Sequence, residues 1–258
     1  MTKYKIKILT LNIHKGFSLT KRHVTIDSIK ENILASGANL VCLQEVVGAF
    51  SDIIRKPQFE FLADQIWSHY AYGQNAIYSK GHHGNAILSE HPIIHYKNYD
   101  ISSYRFEKRG VLHGIIKLSD DTKHNLHVMT LHLDLMSWSR KRQIDKLCSL
   151  IEKHVPLESP LIVCGDFNDW RNEFSEYLFE RVGINEAHFS HLGSYAKTFP
   201  TFLPFLKLDR IYIRNAKIEV ISRLNDISWH KLSDHLIVNA FDVIRLLTCV
   251  IQGVNLMT

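Results

Sequence analysis

The chain has 258 residues, of which 45% are hydrophobic and 22% charged, with 12 glycines and 6 prolines. These values are ordinary for a globular protein with a sizeable core, and they exclude a disordered or low-complexity chain. The formal net charge of +5 favours a polyanionic partner only mildly and excludes the dense basic surface typical of nucleic-acid-binding domains.

The hydrophobic patterns predict many strands and fewer helices. In chain order we expect a strand at 4–13, a helix ending near Gly37, a strand at 39–46 and a helix at 58–67. Strand-like runs follow at 70–78, 84–89, 93–101, 109–118 and 124–133. A long amphipathic helix at 138–154, a strand at 160–164, a helix at 173–181 and strands at 209–214, 217–222 and 234–241 complete the order. Since strand and helix do not strictly alternate, two packed mixed sheets with helices outside fit better than a TIM barrel or Rossmann sheet.

The two ends of the chain carry expectations about domains and location. The first 13 residues are a lysine-alternating strand without a signal-peptide pattern, and four scattered cysteines form no disulfide framework, so we expect a cytoplasmic protein. We assign 1–242 to a single catalytic domain and 243–258 to an apolar C-terminal extension. That extension is too short and too polar to span a bilayer, and its apolar spacing predicts a docked helix. A dimer or membrane contact through 243–258 is the alternative.

Polar side chains stand at the ends of most of the apolar strands. They are Asn12, Glu45, Asn85, His132, Asp166, Asn168, Asp209, Asp234 and His235. Any one of them alone would be explained as a turn residue. Together they supply oxygen ligands that suit Mg²⁺, Mn²⁺ or Ca²⁺, and a protein-bound Mg²⁺ is usually completed by waters and a substrate phosphate. The sequence therefore predicts a cation site that acts on a phosphate ester.

Strand alternation suggests which of these side chains meet. Residues two apart on a strand face the same way, so we expect Asp166 and Asn168 to converge. Asp234 and His235 are neighbours and face opposite ways. If His235 acts as a base, its orienting carboxylate must come from another strand end, and Asp209 is the candidate.

Eight short motifs carry a family resemblance. LNIHKG (11–16), LQE (43–45), GNAILS (84–89), RG (109–110), LHLDL (131–135), GDFND (165–169), LDRIY (208–212) and SDH (233–235) occur in this order. By these motifs and their order, the chain resembles the endonuclease/exonuclease/phosphatase superfamily, and within it the compact bacterial YbhP-like branch. The motifs extend over nearly the whole chain.

The resemblance implies a fold and a metal. The fold would be a four-layer α/β sandwich of the DNase I type, with two mixed, mostly antiparallel sheets packed face to face between helices. Glu45 would bind a divalent cation, Mg²⁺ or Mn²⁺, helped by Asn12 and Asp234. His14 stands where some DNA-repair members have a carboxylate, which favours one ion over two.

The resemblance also implies catalytic roles. Asp166 would orient or deprotonate the attacking water, and Asn168 would hold water or phosphate. His235, paired with Asp209, would be a general base or a transition-state stabiliser, and His132 would donate to a phosphate oxygen. Whether Asp166 or His235 activates the water stays open at this point.

Three further residues are candidates for binding the phosphate of the substrate. Asn85 and Arg109 belong to matched motifs, and His83 lies directly before one. Arg109 could equally be a surface ion-pair partner, and His83 could lie in a solvent-facing loop.

These observations predict a metal-dependent phosphoesterase that cleaves a phosphodiester with an activated water, with DNA or RNA as candidate substrate. The alternative is a lipid or small-molecule phosphodiesterase or phosphatase, which the aromatic segment FPTFLPFL (199–206) favours. A non-catalytic binding scaffold is the remote alternative.

Overall fold

The computed structural model describes residues 3–17, 25–50, 56–79, 81–118, 125–224 and 233–245. The first elements are β1 (Lys3–Asn12), α1 (Ile26–Ser36), β2 (Leu40–Phe50), α2 (Gln58–Gln65), β3 (His69–Tyr78), β4 (Gly81–Ser89), β5 (Ile93–Asp100), β6 (Gly110–Ile116) and β7 (Leu126–His132). They are followed by α3 (Ser137–His154), β8 (Leu161–Asp166), α4 (Ser175–Val182), β9 (Asn185–Glu186), α5 (Ala187–Leu192), β10 (Asp209–Arg214), β11 (Lys217–Leu224) and β12 (Ile237–Arg245).

The strands form two six-stranded mixed sheets. The first has the order β11-β12-β1-β2-β4-β3, and the second has the order β5-β6-β7-β8-β10-β9. In the described part of each sheet one strand pair is parallel, β1–β2 in the first and β7–β8 in the second, and the remaining pairs are antiparallel. The predicted pair of mixed, mostly antiparallel sheets is confirmed.

Apolar residues on both faces of each sheet produce four layers. Alternate residues of facing strands, such as Ile8, Cys42, Ile162 and Cys164, form the core between the sheets. The opposite face of the first sheet packs on α1 and α2, and that of the second sheet packs on α3 and α4. The layers are therefore helices, sheet, sheet and helices, as in a sandwich whose strands are buried on both faces.

The predicted elements are present with ends shifted by a few residues, and the differences have local causes. The short β9 and α5 were not predicted, because 185–192 is too short to show a period. Strand β12 continues to Arg245 because it pairs with β1 to that point, so 243–245 are strand rather than part of the predicted C-terminal helix. Residues 246–258 lie outside the described residues. Of the helices described, none is long and apolar enough to cross a membrane.

The two parallel strand pairs position the candidate site. In β1 and β2, Asn12 is the register partner of Gln44, one residue before Glu45. In the second sheet, Asp166 lies in register with His132 on one side and with Asp209 on the other. The carboxyl ends of both parallel pairs thus meet at one end of the sandwich, where polar side chains replace the apolar core.

Candidate active site

Asp166 lies at the centre of the polar group at this end of the sandwich. Its side chain is 2% exposed, and its Oδ1 accepts a hydrogen bond of 3.0 Å from the backbone N–H of Asn168. Its Oδ2 lies 3.3 Å from the Asn12 amide nitrogen, 3.4 Å from His132 Nε2 and 3.7 Å from His235 Nε2. Groups from four separate segments therefore meet at this carboxylate.

His235 and Asp209 form the pair expected from the sequence. His235 Nδ1 lies 2.9 Å from Asp209 Oδ2, and both side chains are buried. This bond fixes the imidazole so that Nε2 points toward Asp166. The ring of Phe199 packs against the His235 ring with centroids 5.0 Å apart. The arrangement holds one imidazole between two carboxylates.

Glu45 reaches the site because of a bulge in β2. The register of β2 with β4 shifts between Leu43 and Val46, and Glu45 has a φ of 56°. In a regular strand Glu45 would face the helices, as Leu43 does. The bulge and the left-handed conformation turn its carboxylate toward Asn12, whose amide nitrogen lies 3.5 Å from Glu45 Oε1.

Asn12 and His132 each lie close to both Glu45 and Asp166. The Asn12 amide nitrogen faces both carboxylates, while Asn12 Oδ1 accepts a 3.0 Å bond from the His14 N–H. His132 Nδ1 lies 3.8 Å from Glu45 Oε1. In this rotamer Asn12 holds the two carboxylates in place through its N–H groups, and its oxygen is turned away from them.

Asn168 lies beyond the end of β8, beside Asp166. Strand β8 ends at Asp166, and Asn168 has a φ of 49°. Its side-chain amide donates a 2.9 Å bond to the Leu133 carbonyl. The alternation of strand side chains stops where the strand stops, so that argument does not apply to Asn168, and its predicted role in holding water or phosphate stays a prediction. Asn168 instead supports Asp166 through its backbone N–H.

Asp234 faces a turn next to the site. Its Oδ1 lies 3.8 Å from His14 Nδ1 and 3.4 Å from Ser233 Oγ. Lys15, in the same turn as His14, places its Nζ 3.7 Å from Glu45 Oε2. Asp234 thus contacts His14 in this turn. The Lys15 ammonium places a positive charge beside Glu45. The cation-binding role of Asp234 stays a prediction.

The three predicted phosphate-binding residues lie in different settings. His83 stacks on Tyr78 with ring centroids 5.3 Å apart, and burial lowers its pKa to about 4. Arg109 pairs with Glu107 over 2.5 Å, yet its side chain stays 14% exposed and its charge lowers the pKa of both His83 and His132. The charge of Arg109 thus acts on two histidines of the site, and the phosphate-binding roles of His83 and Arg109 stay predictions.

Asn85 ties the two sheets together. It is buried, and its amide nitrogen donates to the carbonyls of Gly110 (3.1 Å) and Thr130 (3.3 Å). Because both N–H bonds are directed at the second sheet, the geometry favours a structural role over the predicted phosphate contact. Its Oδ1 has no hydrogen-bond partner among the residues that the structure describes.

Two supporting residues escaped sequence reasoning. Gln44, next to Glu45, donates to Thr10 Oγ1 (3.2 Å) and Thr130 Oγ1 (2.9 Å) and so bridges the sheets below the site. Ser233 Oγ donates to the Asn12 carbonyl (2.6 Å) and accepts from the His235 N–H (3.1 Å). Each stands inside a matched motif, LQE or SDH, where only the charged residues had drawn attention.

Burial and neighbouring charges separate the proton affinities of the central groups. Burial raises the pKa of Asp166 to about 6, with the charge of Asp209 acting in the same sense and His235 opposing it. Burial lowers the pKa of His235, but the carboxylates of Asp209 and Asp166 outweigh it and raise that pKa to about 10. Burial, with Arg109, holds the pKa of His132 well below its ordinary value. At neutral pH His235 is thus an imidazolium and His132 is neutral.

The donor atoms of the site fit a hard divalent cation. Glu45 and Asp166 are carboxylates that share Asn12 and His132 as neighbours, and no thiol lies among the contacts described for them. Asp166, Asp209 and His235 also form a compact group, with ligand atoms within 4.8 Å of one another, that could hold a metal ion. Since Asp209 and His235 already bind each other, the side of Asp166 that faces Glu45 is the better place.

Comparison with known proteins identifies the family. The model of the Endonuclease/Exonuclease/phosphatase family matches residues 9–235. "Uncharacterized protein YbhP" of Escherichia coli strain K12 is 41% identical over an alignment of 239 residues that covers 90% of this chain and 94% of that protein.

Two solved structures with the same fold illustrate its range. The mannosyl-6-phosphatase Bt3783 of Bacteroides thetaiotaomicron has a TM-score of 0.70 at 15% identity, covering 91% of this chain and 98% of its own. D. rerio TDP2 complexed with single strand DNA product has a TM-score of 0.65 at 15% identity, covering 92% and 98%. Members of this family are typically phosphoesterase hydrolases, and its name includes both nucleases and phosphatases. The chain belongs to the endonuclease/exonuclease/phosphatase family.

Proposed function

We propose that this protein is a divalent-cation-dependent phosphoesterase that hydrolyses a phosphodiester by attack of an activated water. The observation that carries the proposal is the convergence on Asp166 Oδ2 of the Asn12 amide, His132 and His235 within 3.7 Å. These groups come from both sheets, and they combine a carboxylate of raised pKa with an imidazolium. A residue that only forms a turn requires neither a carboxylate of raised pKa nor a neighbouring imidazolium.

Glu45 is the residue we assign to the cation, Mg²⁺ or Mn²⁺, with one ion in the site. When bound, such an ion neutralises charge on the phosphate oxygens and polarises the ester. Asn12 positions the carboxylates of Glu45 and Asp166 through its amide N–H groups. The Lys15 ammonium, 3.7 Å from Glu45, adds a fixed positive charge on the same side.

Asp166 is the group we assign to the activation of water. A general base works best when its pKa lies near the working pH, and burial raises that of Asp166 to about 6. Its Oδ1 is held by the Asn168 N–H, so the carboxylate keeps a fixed orientation. These properties favour Asp166 over His235 for taking the proton.

His235 is the group we assign to charge stabilisation. Because Asp209 and Asp166 raise its pKa to about 10, it holds its proton at neutral pH and cannot accept another. An imidazolium fixed by Asp209 stabilises negative charge that develops on phosphate oxygens. Two titratable groups with separated proton affinities thus take two different roles. Neutral His132, together with Arg109 and His83, would contact the phosphate.

The ester bond and its substrate are the finer part of the proposal. The mannosyl-6-phosphatase and the TDP2 complex support a phosphate-ester substrate in general. DNA or RNA is one candidate. A phospholipid or small-molecule phosphodiester is the second, and the strongly exposed Phe202 and Leu203 near His235 favour it. We place the protein in a reducing cytoplasm, because Cys42, Cys148 and Cys164 are buried free thiols.

The test uses bis-p-nitrophenyl phosphate with Mg²⁺ or Mn²⁺. Asp166→Asn should lower kcat by about 10²- to 10⁴-fold, the usual contribution of a general base. The matched control is Asp145→Asn, which should keep full activity. Asp145 lies on the outer face of α3, and its carboxylate accepts a hydrogen bond from the Tyr177 hydroxyl.

Two outcomes contradict the proposal. Equal turnover in wild type and Asp166→Asn would show that the activity does not come from this site. Absence of turnover on diester, p-nitrophenyl phosphate, DNA, RNA and phospholipid with either metal would support a non-catalytic scaffold.

A further inference from the structure

Large apolar side chains stand exposed on the segments next to the candidate site: the end of β3, the first turn of α3 and three sets of loop residues. We call this set the apolar rim. It consists of Ile77, Tyr78, Phe106, Leu135, Met136, Trp138, Trp170, Phe202, Leu203 and Phe205. The most exposed are Phe106 (91%), Phe202 (73%), Ile77 (70%) and Leu203 (66%). Single exposed apolar residues are common on protein surfaces, but here five segments, each adjoining a residue of the candidate site, contribute such side chains.

Specific contacts attach the rim to the site. The loop that carries Phe202 and Leu203 is held by a 2.9 Å bond from the Thr201 N–H to the Asp234 carbonyl. Tyr78 stacks on His83. The rim therefore has fixed positions around the residues that we assign to the phosphate.

Two further loops of the rim are held to each other. Tyr104, in the loop with Phe106, packs against Trp138 with ring centroids 5.4 Å apart. The Arg140 guanidinium lies 4.6 Å from the centre of the Trp170 ring. The backbones beneath the exposed tips are thus braced, while the tips themselves extend into solvent.

The 102–109 loop and the start of α3 also carry exposed positive charges. Arg105, Lys141 and Arg142 are exposed, and the Arg142 guanidinium lies 5.4 Å from the centre of the Trp138 ring. The acidic residue of the 102–109 loop, Glu107, is already bound to Arg109. Apolar tips with cations behind them match a surface that is apolar inside and anionic outside.

The composition of the rim distinguishes a lipid surface from a nucleic acid. Bases stack on aromatic rings, and a single-stranded nucleic acid would need a groove of such rings. Ile77, Leu135, Met136 and Leu203 have no aromatic face, yet they are as exposed as the aromatic members. Aliphatic tips gain nothing from bases but are stabilised by insertion among acyl chains.

We infer that the apolar rim docks on the surface of an anionic phospholipid bilayer. Phe106, Phe202 and Leu203 enter the boundary between headgroups and acyl chains, and Arg105, Lys141 and Arg142 contact headgroup phosphates. The site then opens at the level of the lipid headgroups. This inference rests on the proposed function for the substrate, a phosphate ester at the membrane surface, but the docking itself does not require turnover.

Vesicle flotation tests the docking. The full chain carrying Asp166→Asn, which prevents turnover, is mixed with vesicles of phosphatidylcholine alone or of phosphatidylcholine with phosphatidylglycerol. We expect flotation with the anionic vesicles and at least tenfold weaker binding to the neutral ones. Phe202→Ser combined with Leu203→Ser should reduce binding to anionic vesicles at least tenfold, and Phe106→Ser, on a separate loop, should reduce it independently.

Leu157→Ser is the matched control. Leu157 is 73% exposed, but it lies between α3 and the start of β8, at the opposite end of the strand from Asp166. Its substitution should leave vesicle binding unchanged. Far-ultraviolet circular dichroism and Tm verify that each variant is folded.

Several results overturn the inference. They are no flotation of the parent chain, equal loss with Leu157→Ser, no loss in folded rim variants, or rim-dependent binding of a single-stranded oligonucleotide without binding of vesicles. Wild-type turnover of bis-p-nitrophenyl phosphate without lipid reports separately on the proposed function. Turnover without flotation would refute only the membrane docking. Flotation without turnover of any substrate would refute only the proposed phosphoesterase activity.

Discussion

Under the proposed function, the buried pair of Asp209 and His235 determines the sign of the pH dependence of the activity. Asp209 is fully buried and its carboxylate lies 2.9 Å from His235 Nδ1. In Asp209→Asn the shape is kept but the negative charge is lost. Since burial lowers the pKa of His235 and the charge of Asp209 is the largest influence that raises it, the pKa should fall from about 10 to its ordinary value or below.

The expected rate loss follows from that change. If the imidazolium is the active form, an unperturbed pKa of about 6.5 leaves about 1% of it at pH 8.5, so kcat/KM should fall about 100-fold there. Near pH 6 most of the imidazolium remains, and the loss should be only a few-fold. In the wild type the rate should rise as Asp166 loses its proton near pH 6, and it should decline only as His235 loses its proton near pH 10.

Two measurements check this prediction. Initial rates of Mg²⁺-dependent diester hydrolysis from acid to alkaline pH give the profile, and titration of the imidazole by NMR gives the pKa of His235 without reference to activity. Asp145→Asn, whose carboxylate pairs with Arg181 on the helical surface, should leave the profile unchanged.

A neutral His235 acting as the base would give the opposite sign. Lowering its pKa would then increase the active form, and Asp209→Asn would be more active than the wild type below pH 7. That result, or a loss of the same size at every pH, would refute the assignment of His235 as the charged stabiliser.

Two further substitutions test the cation site and the strand geometry. Glu45→Gln should raise the Mg²⁺ concentration for half-maximal rate by at least about 10- to 100-fold, since substitutions of residues that only support metal ligands already have effects of that size. Calorimetric titration with Mg²⁺ measures the affinity. An unchanged affinity would exclude Glu45 as a ligand. Gly165→Ala should lower the free energy of unfolding by about 3 kcal/mol or more, because a Cβ there would lie 2.0 Å from the Leu131 carbonyl oxygen and φ is 138°. Gly193→Ala, with φ of 70° and nothing within 4 Å, isolates the backbone effect and should cost only about 1 kcal/mol; equal costs in urea denaturation would contradict the steric argument.

The sequence predicted those parts of the fold that depend on regular alternation. Asn12, His132, Asp166 and Asp209 each lie on the inner face of a strand. Each is in step with an apolar core residue four positions away (Ile8, Val128, Ile162 and Ile213), so their meeting follows from parity once the two sheets face each other. The pairing of His235 with Asp209 followed in the same way, from the exclusion of its neighbour as a partner.

Other parts could not be predicted, because they depend on interruptions of regular structure. By strand alternation Glu45 should face the helices α1 and α2, and it reaches the site only because β2 has a bulge there. No residue type in this segment predicts the bulge. Asn168 lies past the end of its strand. The inter-sheet ties of Gln44 and Asn85 depend on which strands face each other across the core, and that is a tertiary property.

Backbone strain is concentrated at the site. Of the six non-glycine residues with positive φ in the described chain, four lie in the candidate site or the turn beside it: His14 (47°), Lys15 (59°), Glu45 (56°) and Asn168 (49°). Each such conformation costs about 1–3 kcal/mol and persists only where the surrounding structure enforces it. Here the side chain of Gln58 stabilises these conformations. It donates a 2.8 Å hydrogen bond to the Lys15 carbonyl and accepts a 2.8 Å hydrogen bond from the Val47 N–H, so one buried amide clamps both the turn and the bulge.

That clamp distinguishes a built site from a collection of strand ends. A turn relaxes to its favoured conformation unless something opposes it, and Glu45 in a relaxed strand would lie among the apolar side chains facing α1 and α2. The chain instead holds Glu45 and Lys15 in left-handed conformations that bring a carboxylate and an ammonium within 3.7 Å of each other. Strain of this kind lowers stability and has no use in packing, so its position around Asp166 is the physical reason to interpret the convergence as catalytic rather than structural.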